Sequence, residues 1–339
     1  MLAPRLFTTP LVNRVHHLGL RWMSVRPPAA SPPSEGEPPV VSRKKVSIQR
    51  LQQLRNQGTP ITMLTAYDYF TARQCETGDV DICLVGDSLA QVCLGYDSTT
   101  RLTMPEMLHH VKAVSRGLKT PFLVADMPFG SYHSSVGDAI RNAVQLMQEG
   151  GAEGVKLEGG EEIVPIVKAL TTIGIPVMAH IGLLPQRHAA LSGYRVQGRD
   201  AHTAHRVVRS AEALQDAGAF AMVLEAIPHT LASYITARKV DIPTIGIGAG
   251  GGTSGQVLVW DDAMGTWEGH KAKFVRRFAD VGRISREGVS AYAEAVRAHK
   301  FPDAEKEGYG MTEEEWSRFM ELEGPGSASG LLQRRSIVA

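Results

Sequence analysis

The 339-residue sequence predicts a (β/α)₈ barrel, a TIM barrel of the α/β class. Three observations carry this. Eight short, near-continuous apolar blocks recur along the chain, and such runs suit parallel strands covered on both faces. Helical patterns lie between most of them, which is the alternation that builds βαβ units. The stretch that holds them, 43–302, is close to the roughly 250 residues a single barrel takes.

Taken in order, residues 1–34 contain Arg5, Arg14, Arg21 and Arg26 and no Asp or Glu, the composition of a mitochondrial transit peptide rather than of an ordinary polar tail. RPPAASPPSEGEPP at 26–39 reads as a linker. A leader and linker are therefore expected over 1–42, with delivery to the mitochondrial matrix. An extra helix at 47–57 precedes the barrel. Strand blocks follow at 61–68, 82–88, 121–129, 154–159, 176–183, 220–226, 243–250 and 256–261. Helical patterns occupy 103–118, 135–149, 161–173, 201–217 and 229–240, the first opened by Thr103 and Glu106 in capping-box spacing. Five residues separate Gly250 from Gln256, too few for a helical crossover, so the eighth strand conflicts with its own connection. The tail 303–339 is acidic and Gly-broken, with one capped helix at 312–323, and is expected to be partly disordered.

Composition excludes several classes. Lys and Arg number 36 against 35 Asp and Glu, and aromatics are 6%, so neither a phosphate-tracking nor a base-stacking surface for nucleic acid is indicated. No apolar run reaches the 18 residues that would span a bilayer. The three cysteines are odd in number and lack zinc-ligand spacing, which fits a reducing compartment.

A barrel's active site lies at the carboxyl ends of its strands, and here those ends are acidic. Asp87 closes LVGDS, Asp126 closes LVADMPF, Glu158 closes VKLEG and Glu225 closes MVLEAIP. Any one of them is as readily a helix cap or loop salt bridge. Four at one mouth repel one another unless a cation lies among them, and oxygen ligands without Cys or clustered His favour Mg²⁺. Lys156 shares a strand face with Glu158 and either holds a substrate carboxylate or pairs with a barrel acid. His180, ending VMAHIGL, is a substrate donor or a satisfied core histidine. Ser88 offers a hydroxyl beside Asp87. The glycine run GIGAGGG at 246–252 lacks the Lys and Ser/Thr of a phosphate loop and reads as a tight turn.

The segments TAYDYFTA, LVGDSLA, GYDSTTRLTMPEM, ADMPFGSY, VKLEGG, HIGLLPQ, GYRVQGR, LEAIP, IGIGAG and GQVLVWDDAMG resemble the ketopantoate hydroxymethyltransferase family, in the family's order and over about 47–302. The presequence resembles that of mitochondrial, eukaryotic members. Leu184, Ser254 and Lys306 depart from the family's usual Thr, Asp and His. The resemblance implies a barrel of the phosphoenolpyruvate/pyruvate type. It also implies a Mg²⁺-dependent enzyme of pantothenate and coenzyme A synthesis that moves a one-carbon unit from 5,10-methylenetetrahydrofolate to 3-methyl-2-oxobutanoate through a stabilised enolate. Asp87, Asp126 and Glu158 would then stand on the metal side. Asp87, Ser88, Asp126, Lys156 and His180 would contact the oxo acid, and Glu225 would be the base. A homo-oligomer, as a decamer, is also implied. Two other readings share these features. A Mg²⁺-dependent lyase or mutase of the phosphoenolpyruvate or isocitrate lyase type would often add a Cys or Arg near the base. A non-catalytic barrel subunit would be marked by loss of a metal carboxylate, and all are present.

Overall fold

The computed structural model describes residues 43–190, 192–266, 269 and 271–324. The expected leader and linker fall outside them, as does the last part of the tail. Eight parallel strands close into a barrel in chain order: β1 (Ile61–Thr65), β2 (Ile82–Val85), β3 (Phe122–Asp126), β4 (Gly154–Glu158), β5 (Val177–Gly182), β6 (Ala221–Glu225), β7 (Thr244–Ile247) and β8 (Gly255–Leu258). The strand predicted least comfortably, β8, is present and pairs with both β7 and β1. No helix joins it to β7. A four-residue strand advances only about 13 Å, so the seven residues 248–254 return as a bent loop without one.

The extra helix is α1 (Ile48–Asn56), capped by the Ser47 hydroxyl. It sets Leu51 and Leu54 against the inward side chains Ile61, Met63, Ile82 and Val257, closing the amino-terminal end of the barrel. The remaining helices are α2 (Tyr69–Thr77), α3 (Leu89–Val92), α4 (Met104–Ser115), α5 (Val136–Gln148), α6 (Val164–Thr172), α7 (Ala201–Asp216), α8 (His229–Arg238), α9 (Trp260–Met264), α10 (Val281–Arg297) and α11 (Glu313–Glu323). The Thr103–Glu106 capping box opens α4 as the spacing predicts. The tail helix also forms, from Thr312. Two substantial helices were not expected. α2 begins from a capping box of Asp68 with Thr71, whose short side chain is a weaker signal than Glu or Gln. In α10 the apolar positions are interrupted by Gly282 and Gly288. Among the described residues no helix is long and apolar enough to cross a membrane.

The strands are buried on both faces, but not equivalently. Outward residues such as Val85, Leu123, Val155, Ala179 and Leu224 pack under the helices. Inward residues are apolar at the bottom and turn polar one pleat below the top. Phe122, Val124 and Asp126 point inward along β3, as do Gly154, Lys156 and Glu158 along β4. The two-residue period therefore delivers each polar side chain to the mouth above a dry core.

Candidate active site

All seven residues singled out from the sequence line one cavity of about 1000 Å³ at the carboxyl ends of the strands: Asp87, Ser88, Asp126, Lys156, Glu158, His180 and Glu225. The pairing register explains their proximity. Asp126 lies opposite Lys156, Glu158 opposite His180, and Gly182 opposite Glu225.

Lys156 is buried, with Nζ 2.8 Å from Asp126 Oδ1 and 3.0 Å from His180 Nδ1. It is thus a structural partner of a barrel acid and part of the cavity wall at once. Burial alone would lower its pKa, but the charges of Asp126, Glu158 and Asp87 outweigh that and hold the ammonium above its usual range. His180 is driven well below its ordinary pKa by burial and by Lys156, so the ring is neutral. Its Nε2 stands 3.1 Å from Glu225 Oε2 without an aligned hydrogen bond. A fully satisfied core histidine is therefore excluded.

The acids fall into two sets. Burial, with repulsion from Asp87, lifts Asp126 to about 6 despite Lys156, and lifts Glu158 well above the carboxylate range. Asp126 Oδ2 accepts from the backbone N–H of Asp87, and Glu158 Oε2 from that of Gln186. Asp126 Oδ1 faces the Lys156 ammonium, while Glu158 Oε1 is buried without a hydrogen-bond donor. A buried carboxylate oxygen left without a donor is the chemistry a hard cation fits. Among the described residues no three such side chains gather tightly enough to form a protein cage for an ion. That suits Mg²⁺, which keeps several water or substrate oxygens and takes only one or two carboxylates directly. Glu225 forms the second set. Burial raises it to about 7, with Lys156 pulling the other way.

Ser88 is half-buried, and its hydroxyl pairs with Tyr67 Oη at 2.8 Å. The backbone beside Glu225 is constrained. Gly182 takes φ +95°, and a Cβ there would meet the Glu225 carbonyl at 2.2 Å, so only glycine lets β5 and β6 approach so closely. Ala226 holds φ +44°, sparsely populated for a residue with a Cβ. Its N–H donates to Ile247 and its carbonyl accepts from Gln197, which over-determines the strained turn. The glycine run is a packing device, since a Cβ on Gly250 or Gly252 would overlap His229 or Ser233 of α8.

One residue of the site was missed. Gln186, in the turn after β5, is buried and donates from Nε2 to Asp87 Oδ2 and to the Met127 carbonyl, while its Oε1 accepts from the Tyr132 hydroxyl. HIGLLPQ carried it in plain view. Its role depends on partners 99 and 54 residues away, which no local pattern shows.

Comparison with known proteins agrees with this geometry. A family model described as ketopantoate hydroxymethyltransferase matches residues 45–304. The chain belongs to the ketopantoate hydroxymethyltransferase family. Among similar relatives, the 3-methyl-2-oxobutanoate hydroxymethyltransferase of Deinococcus radiodurans is 52% identical over 251 residues, 74% of this chain and 88% of that one. The protein of the same name from Emericella nidulans is 46% identical over 279 residues, 82% and 79% of the two chains. Among solved structures, a phosphonopyruvate hydrolase complex with oxalate and Mg²⁺ superposes with TM-score 0.52 at 15% identity, over 86% of this chain and 98% of the other. A 2,3-dimethylmalate lyase of the PEP mutase/isocitrate lyase superfamily gives 0.50 at 16%, over 85% and 98%. These likenesses show the barrel type expected of the family.

Proposed function

We propose that this chain is an enzyme that transfers a hydroxymethyl group from 5,10-methylenetetrahydrofolate to 3-methyl-2-oxobutanoate, giving 2-dehydropantoate and tetrahydrofolate in pantothenate synthesis. The observation that carries the reading is Glu225. A carboxyl poised near pH 7 stands beside a neutral imidazole and across one cavity from a buried ammonium and three further acids. A base for carbon acids needs a pKa near the working pH and a dry surround, and Glu225 has both.

Asp87, Asp126 and Glu158 would hold Mg²⁺, directly or through water. When bound, that ion would supply the Lewis acidity that makes the C–H beside the ketone removable. Lys156 offsets the negative charge of the oxo acid. His180 Nε2 and the Ser88 hydroxyl orient it. Glu225 takes the proton from the carbon next to the ketone. That carbon then attacks the methylene carbon of the folate as the first of its two carbon–nitrogen bonds breaks and that nitrogen takes up the abstracted proton; water then displaces the second nitrogen, leaving its hydroxyl on the product and its proton on that nitrogen. The ring of His180 stays neutral throughout, so it donates without competing for the proton.

The acid-free, arginine-bearing residues 1–34 support delivery to the mitochondrial matrix, tested by the amino terminus of protein recovered from that organelle. The enzymatic reading is tested by tetrahydrofolate release from purified protein given the oxo acid, Mg²⁺ and the methylene donor. Release that needs all three supports it, and no release above the uncatalysed rate contradicts it.

A further inference from the structure

A 2-oxo acid presents only hydrogen-bond acceptors, its carboxylate oxygens and its ketone oxygen. A hydroxyl that holds it must therefore donate its single hydrogen to it, and must meet the cavity wall as an acceptor. Ser88 lines the cavity, and its Oγ lies 2.8 Å from Tyr67 Oη. A phenol is a stronger acid than an aliphatic alcohol and a poorer acceptor, so Tyr67 donates and Ser88 accepts. Burial pushes the phenol well above its usual pKa, so that proton stays in place. Tyr67 stands behind Ser88, only 3% exposed, and is clamped along its backbone. Its N–H donates to Thr71 Oγ1 at 3.0 Å, in α2, and its carbonyl accepts from His110 Nδ1 at 2.6 Å, in α4. Two residues earlier, Thr65 Oγ1 accepts from the backbone N–H of Trp260 at 2.8 Å, which ties the end of β1 to the start of α9. The phenol is thus held where three elements meet.

We propose that Tyr67 is a positioning residue for the oxo acid: by donating to Ser88 Oγ it turns the serine hydrogen toward the cavity, where it donates to a substrate oxygen. This rests on the oxo-acid reading above and adds the group that sets the direction of the Ser88 bond. Tyr67 touches no substrate itself. Without the phenol the serine hydroxyl rotates freely and shares its hydrogen with water, so both the orientation and the mutual polarisation of the two hydroxyls are lost.

The experiment is a double-mutant cycle of Tyr67→Phe and Ser88→Ala. It reads the dissociation constant of 3-methyl-2-oxobutanoate, with Mg²⁺ and without folate, and deuterium exchange at the carbon beside the ketone. Tyr67→Phe should weaken binding roughly three- to tenfold, and Ser88→Ala about tenfold or more. Because Tyr67 acts through Ser88, the double variant should match Ser88→Ala within about twofold. Exchange at saturating oxo acid should slow less than about threefold in Tyr67→Phe, since the base is untouched. Effects that multiply in the double variant would overturn the positioning role, as would wild-type affinity in either single variant. A Tyr67→Phe chain that fails to fold would also overturn it, in favour of a purely structural role. A wild type that folds but neither binds nor exchanges the oxo acid would instead overturn the substrate reading, and the positioning role with it.

Discussion

The ammonium of Lys156 stands 3.0 Å from Nδ1 of His180. An ammonium has only donors, so Nδ1 must accept, and the neutral ring carries its proton on Nε2 facing Glu225. One contact between neighbouring strands thus fixes the tautomer beside the base. The same lysine neutralises Asp126. Lys156→Met should therefore cost about 3 kcal/mol at pH 7.5, because a buried carboxylate loses its partner. The cost should shrink as pH falls and Asp126 takes up a proton. Urea unfolding at two pH values checks this, and a loss under about 0.5 kcal/mol at pH 7.5 would contradict a buried pair.

Glu225 works only when ionised, and burial places its pKa at about 7. Proton abstraction should rise about tenfold per unit up to pH 7 and then level. His180, displaced downward, adds no limb in that window. The sign for stability is opposite. Between the ordinary carboxylate pKa and 7 the folded chain holds a proton that the unfolded chain has released. This contribution is therefore lost as pH rises through 7. Glu225→Gln should abolish both dependences, and a rate profile that stays flat from pH 5.5 to 8 in the wild type would refute the assignment.

Glu158 buries an oxygen that lacks a donor, in the cavity it shares with Asp87 and Asp126, so Mg²⁺ should stabilise the fold. At a hundred times its dissociation constant the gain is about 2.7 kcal/mol, read as a rise in Tm that a chelator reverses. Asp87→Asn and Asp126→Asn should reduce the rise while leaving the folded far-UV spectrum intact. An unchanged Tm with and without Mg²⁺ would remove the ion from this site.

Gln186 ties three parts of the mouth together through Asp87, Met127 and Tyr132. Gln186→Leu takes the side-chain donor from Asp87 Oδ2 and the Met127 carbonyl, at about 1–3 kcal/mol, while the Tyr132 hydroxyl keeps the Glu158 carbonyl, and frees Asp87 to turn. Activity should fall with weaker Mg²⁺ affinity, whereas a purely structural role would lower the unfolding midpoint and leave Mg²⁺ affinity unchanged.

Much of this was legible in the sequence for a simple reason. In a closed barrel a strand's last inward side chain must face the mouth, so an acid ending an apolar run, as in FLVAD or AMVLE, reports its own position. The lysine and glutamate of GVKLE share a face by the same two-residue period. β8 conflicted with the usual crossover length because the blocks were read longer than the four-residue strands that form, which left too few residues between them. α2 and α10 were missed where a cap was short or the apolar stripe was broken by glycine. Gln186 and the strained turn at Ala226 were hidden because each is defined by partners distant in the chain.

The central claim is that Glu225 removes the proton from the carbon beside the ketone. Deuterium exchange at that carbon of 3-methyl-2-oxobutanoate, followed in D₂O with Mg²⁺ and without folate, tests it most directly. Wild-type protein should exchange, and Glu225→Gln should slow exchange roughly 10²- to 10⁴-fold while oxo-acid and Mg²⁺ affinities stay within about twofold. Wild-type exchange rates in the variant would contradict the account.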